Sequence, residues 1–204
     1  MLLAPQTERL PTSDDEVIGI AENFGTRATY YLNEAATETR VKIEAGEYDL
    51  LHFATTGHFN KANPLFSRLD LMKSEQDDGY LEVHEIFGLN LKANLVTLSA
   101  CQTALGSGYA AALPQGDDLL SLANGFLHAG ANSVVASLWE VSDPSTSVLM
   151  QTFYKYLERY DKGEALARAQ RDMIKDKIGI GDAGATRTSR PYFWSPFVLI
   201  GDWK

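Results

Sequence analysis

Cys101 is the only cysteine of this 204-residue chain, and it ends an apolar run, "LVTLSAC" (95–101). Open α/β sheets hold their ligands beyond the carboxyl ends of strands, so a thiol at that point is a candidate nucleophile. The following "QTALGSG" is rich in glycine and leaves backbone N–H groups free to hold a developing oxyanion. The competing reading is a small buried hydrophobe, the common role of a lone cysteine. A thiol needs an imidazole within hydrogen-bond reach to become a thiolate at neutral pH, or a base to take its proton during attack. Two histidines flank the end of another apolar run, "YDLLHFATTGHF" (48–59). His52 lies inside the run and is expected to face a helix as a core histidine. His58 lies past it, beside Thr56 and Gly57, where a loop side chain can reach a neighbouring strand end. His84 and His128 have ordinary explanations, as a surface residue and as a partner for a helix C-terminus. Asp143 is first of all an N-cap before Pro144. It also follows the apolar run "SVVASLW", on the same rim as Cys101, where an acid could receive a basic side chain of a substrate.

The elements that must carry these residues alternate. Helix signals open "TSDDEVIGIAENF" (12–24), and a short strand is expected within "TRATYYL" (26–32) and a helix over 33–47. The strand at 48–55 follows. A hairpin is expected where "PLFSRLDLM" and "YLEVHEI" flank Asp78–Gly79. Then come the strand at 93–101, a helix at 117–130, a strand at 131–139, helices from Asp143 and from Gly163, and a closing strand in "SPFVLIGDW". Three strands are apolar on both faces and alternate with helices, the signature of a parallel sheet covered on each side. Residues 1–9 read as a linker or domain edge, and 10–204 as one domain. "GIGDAG" (179–184) matches a dinucleotide fingerprint in letters alone, because it follows a helix and opens none. A nucleotide binder or a serine hydrolase is therefore a poor reading, with no G-x-S-x-G elbow present.

Composition narrows the function classes further. A net charge of −9 and the lack of any long basic run argue against nucleic acid as a partner. One cysteine excludes an internal disulfide and a multi-cysteine zinc site, and suits a reducing, cytoplasmic setting. With no apolar run of 18 residues and an acidic start, the chain is expected to be soluble, without a membrane partner. A hydrophobic content of 45% is enough for a full core.

The chain resembles the CHAT family, caspase-like domains often joined to tetratricopeptide repeats. The pieces that carry the likeness stand in family order: "LPTSDDEV", "YDLLHFAT", "LVTLSACQTALG", "LLSLANGFLHAGANSVVASLWEVSD", "FYKYL", "EALARAQ" and "WSPFVLIGDW". The resemblance implies a caspase-like three-layer α/β sandwich, with a Cys–His dyad on adjacent strand ends and no cofactor or metal. Cys101 matches the family nucleophile, and Gly57 the glycine whose N–H joins that of Cys101 in the oxyanion hole. The family histidine stands immediately before that glycine, where this chain has Thr56, and His58 sits two residues later. A threonine hydroxyl does not titrate near neutrality and cannot act as the base. The sequence thus leads to a cysteine endopeptidase acting on a protein or peptide through Cys101 and His58. The alternative is a catalytically silent domain that binds peptides or proteins in the same cleft.

Overall fold

The computed structural model describes residues 1–5, 10–60, 62–102, 116–139, 141, 143–175, 178 and 188–204, and leaves the side chains of 100–102, 116–121 and 143 undescribed. The "GIGDAG" segment lies outside the described residues. Among the described residues eight strands form one sheet: β1 (Leu2–Ala4), β2 (Tyr30–Leu32), β3 (Leu50–His58), β4 (Arg68–Asp70), β5 (Tyr80–Glu82), β6 (Leu95–Gln102), β7 (Ser133–Ser137) and β8 (Phe197–Gly201). Their order is β2-β1-β3-β6-β7-β8, with β4 pairing β3 and β5 pairing β4. The pairs β1–β2, β1–β3, β3–β6 and β6–β7 are parallel, while β8 closes the sheet antiparallel to β7. The three expected strands are therefore adjacent and parallel at its centre.

Strand alternation sorts the core into two layers. Leu51, Phe53, Val96, Leu98, Val134 and Ala136 pack with residues of α2 (Glu38–Glu44), α3 (Val83–Ile86) and α4 (Gly116–His128). Ala54, Leu95 and Val135 face the other way, onto α1 (Ser13–Phe24), α5 (Asp143–Leu157) and α6 (Lys162–Ile174). Strands that are apolar on both faces require cover on both faces, and this chain supplies it. One more short helix, α7 (Pro191–Trp194), leads into β8.

Three stretches differ from expectation. Leu2–Ala4, within the segment read as a linker or edge, is a buried strand between β2 and β3; three apolar residues are too few for periodicity to show. The helix expected over 33–47 is regular only at α2, with single 3-10 turns at Asn33–Ala35 and Ala45–Glu47. Strand β3 does not break at Thr55 but continues to His58, because β4 offers a second partner: Gly57 pairs with Leu69 and His58 with Arg68.

The β4–β5 hairpin is tied to α2 through Lys42, whose ammonium lies 2.6 Å from Glu38, 2.7 Å from Asp77 and 2.8 Å from Glu85. Burial alone would lower the Lys42 pKa, but the three carboxylates outweigh it and hold the group above its usual range. Gly79 turns the hairpin at φ 91°, with its amide donating to Glu38 Oε2 at 2.8 Å. A Cβ there would sit 2.7 Å from Leu71 O, so only glycine fits.

Candidate active site

The site is built at the carboxyl end of β3 and β6. These strands run in register, Ala54 opposite Ser99, Thr56 opposite Cys101 and Gly57 opposite Gln102. The residue facing the candidate nucleophile along the backbone is thus Thr56, which is 4% exposed. The environment of the Cys101 side chain lies outside what the structure describes.

His58 is the last residue of β3, two positions beyond Thr56. Gly57 is not among the glycines at positive φ, so the chain passes through it without a left-handed bend. Along a strand two residues advance about 6.4–6.8 Å. The imidazole does not simply project at that level, however. Its Nε2 lies 2.6 Å from Asp70 Oδ2. The β3–β4 register, Gly57 with Leu69 and His58 with Arg68, puts Asp70 one further step along, level with Thr56. Asp70 is therefore the diagonal neighbour of His58, at the distance a long side chain can span. Gly57 pairs with Leu69 of β4 on one edge and with Gln102 of β6 on the other, so Asp70 holds the ring toward the edge of β3 opposite to Cys101's strand.

Asp70 is itself held. Its Oδ1 receives Arg68 Nε at 3.2 Å, the Arg68 guanidinium lies 3.8 Å from the centre of the Tyr80 ring, and the Asp70 carbonyl accepts the Thr55 hydroxyl. A carboxylate only accepts, so Nε2 carries the hydrogen in the neutral ring. A carboxylate that fixes the tautomer of an imidazole beside a strand end is the arrangement a general base requires.

Asp70 and Arg68 escaped sequence reasoning. The alternation in "SRLDL" puts both on one face of a short strand, but nothing local says that this face meets His58. Asp143 is the first residue of α5, and its side chain lies outside the description. Gly57 lies in the strand, in register with Gln102.

The remaining histidines sit apart from this edge. His52 is fully buried against α1, with Nε2 2.8 Å from Glu16 Oε1 and Nδ1 without a partner. The Tyr154 ring stands edge-on to it with centroids 5.4 Å apart, and its hydroxyl donates to Thr97 Oγ1 at 2.9 Å. Burial pushes the Tyr154 phenol up, partly opposed by that hydrogen bond. His84 lies 3.3 Å from Glu82 and packs on Phe66, and His128 packs on Phe87. Among the described residues one trio could offer three metal ligand atoms, Glu82, His84 and Glu85, within 4.8 Å of one another. Both Glu85 oxygens are engaged already, by Lys42 and by the Glu82 amide.

Comparison with known proteins decides the family. The sequence matches the CHAT domain over residues 3–202. The chain belongs to the CHAT family. Tetratricopeptide repeat protein 28 of Mus musculus is 25% identical to this CHAT domain over 226 residues, and that of Homo sapiens 22% over 225. Each alignment covers 94% of this chain, which spans 8% of the length of those curated relatives. Among solved structures, the separase–securin complex of Saccharomyces cerevisiae superimposes with a TM-score of 0.60 at 16% identity, over 98% of this chain and 12% of that one. The Arg-specific cysteine proteinase gingipain R gives 0.61 at 11% identity, over 99% and 46%. The CHAT domain has the caspase-like fold: a mostly parallel sheet between two helical layers. Among its described residues no helix is long and apolar enough to cross a membrane.

Proposed function

We propose that this CHAT domain is a cysteine endopeptidase in which Cys101, His58 and Asp70 act together. The observation that carries the reading is the 2.6 Å bond from His58 Nε2 to Asp70, which fixes the tautomer of an imidazole at the end of the strand that pairs with Cys101's. His58 takes the thiol proton, and the sulfur bonds to the carbonyl carbon of the scissile peptide. The N–H groups of Gly57 and Cys101 hold the resulting oxyanion. The C–N bond then breaks, His58 returns its proton to the leaving amine, and water, deprotonated by His58, releases the acyl group from sulfur. Asp143 receives a basic side chain of the substrate. The substrate is a protein or peptide, in a reducing, cytoplasmic setting, and tetratricopeptide repeats are a natural companion module given the curated relatives.

A second reading is supported by the register of Thr56 with Cys101. If no imidazole reaches the sulfur, the same edge binds a peptide without cutting it. A peptide-library cleavage assay with wild type and Cys101→Ala separates the two. Cleavage that disappears in Cys101→Ala is expected. A wild type that binds peptides and cleaves none, with a thiol that reacts no faster than free cysteine, would establish the silent module instead.

A further inference from the structure

Strand β4, which carries Asp70, is held at its far end by another element. It pairs with β5 over three residues, Arg68 with Glu82, Leu69 with Leu81 and Asp70 with Tyr80. Asp70 is the last of the three before the turn, and the next amide, Leu71 N–H, donates to Gly79 O at 2.7 Å. On its other side β4 meets β3 at Arg68 and Leu69, one step short of Asp70. A ribbon of three residues a side is too short to be stable alone, so whatever fixes the turn also fixes where Asp70 stands.

The turn is fixed by α2. Met72 forms a bridge with Thr37, its N–H donating to Ala36 O at 2.9 Å and its O accepting from Glu38 N–H at 3.2 Å. The Thr39 hydroxyl donates to Asp77, and Glu38 Oε2 accepts the Gly79 amide. Beside these bonds lies Lys42, one ammonium among three carboxylates from three places: Glu38 of α2, Asp77 of the turn and Glu85 of α3. The Glu38 side chain is 1% exposed; burial is the main cause raising its pKa, and the contact with Lys42 opposes it. Without the ammonium a buried carboxylate loses its counter-charge while two more repel it.

We propose that Lys42 is a positioning residue for His58: by clasping the hairpin turn to α2 it keeps the Asp70 carboxylate within hydrogen-bond reach of the imidazole. The contacts run from Lys42 through Asp77 and Glu38 to Gly79, and through the Gly79–Leu71 bond to Asp70. From Asp70 Oδ2 the last step to His58 Nε2 is 2.6 Å. With the clasp open, β4 keeps its pairs with β3 at Arg68 and Leu69, while Asp70, beyond them, moves with the loosened turn. The inference rests on the reading of His58 as the base and adds to it a residue on a different element.

The test reads the contact first and its consequence second. In protein carrying ¹⁵N-labelled histidine, exchange of the His58 Nε2–H with water is followed by NMR, with His58→Ala giving the assignment. Lys42→Met should speed that exchange at least about tenfold, and Lys42→Arg should stay within about threefold of wild type. In an Asp70→Asn background Lys42→Met should add nothing, because the contact is already lost. Asp77→Asn, a change in the turn, should fold even where Lys42→Met does not, and should speed exchange at least about threefold. The His52 Nε2–H, held by Glu16 against α1, is the control and should not change. Unchanged exchange at His58 in Lys42→Met, or equal acceleration at His52, overturns the proposal. In the peptide-cleavage assay Lys42→Met should lower kcat at least about fivefold with KM nearly unchanged. Exchange that depends on Lys42 in a protein without turnover removes the peptidase and leaves the clasp. Turnover that needs His58, with exchange and kcat untouched by Lys42→Met, does the reverse.

Discussion

Replacing His58 with alanine removes the imidazole at the end of β3, and the expected loss can be worked out. A positioned general base contributes about 10²–10⁴-fold, so kcat/KM on a quenched fluorescent peptide should fall by that factor in His58→Ala. Asp70→Asn keeps the shape of the side chain but presents an amide that can donate, which favours the wrong tautomer. Turnover should drop at least about tenfold with KM nearly unchanged. Thr56→His tests the geometry from the other side. Position 56 faces Cys101 along the backbone, while 58 lies about 6.4–6.8 Å further on and depends on its diagonal reach to Asp70. If that reach brings His58 to the sulfur, a second imidazole at 56 adds little, and crowds the ring already there. If Thr56→His instead raises turnover a hundredfold or more, His58 was not serving Cys101. Wild-type turnover that survives His58→Ala would refute the reasoning outright.

Three further outcomes follow from the layers beneath the site. Tyr154→Phe deletes a buried hydroxyl and orphans Thr97 Oγ1, and should cost about 1 kcal/mol in urea denaturation with an unchanged m-value. Glu16→Ala strips the buried His52 imidazole of its hydrogen-bond partner, and should cost about 1–3 kcal/mol, lowering Tm more than an exposed Glu→Ala. Asp77 is held below the ordinary 3.8, chiefly by the Lys42 ammonium and then by the Thr39 hydroxyl. Its stabilisation is therefore full above pH 3.8 and is lost as pH falls through the folded value. The melting-temperature gap between wild type and Asp77→Asn should be constant above about pH 5 and should narrow as the solution is acidified below the ordinary value.

How much of this was legible in the sequence depends on how local each signal is. Runs such as "YDLLHFAT" and "SVVASLW" announce buried parallel strands because apolar cover on both faces needs no knowledge of partners. The Asp78–Gly79 turn fixes its hairpin for a similar reason, since the positive φ of Gly79 is a property of one residue. What stayed hidden depends on pairing. "TTGH" is polar and looks like a loop, and it remains strand because β6 pairs with Thr55 to Gly57 and Leu69 and Arg68 pair with Gly57 and His58. Asp70 meets His58 through that same register. Cys101 is a candidate from its place at a strand end and from resemblance, whereas the contact of His58 with Asp70 needed the β3–β4 diagonal.

Strand β1 has a consequence for how the chain acquires its shape. Leu2 pairs with Tyr30 on one side and His52 on the other, so the first strand in sequence is enclosed by two that come later. Closing those loops costs entropy before any pairing enthalpy is recovered, and such contacts form late and slowly. Until β1 docks, the edge of β3 that it covers stays open while β3 pairs with β6 on its other side. That interval is when this sheet can recruit a strand from another molecule, and the half of the domain carrying His58 is the half at risk.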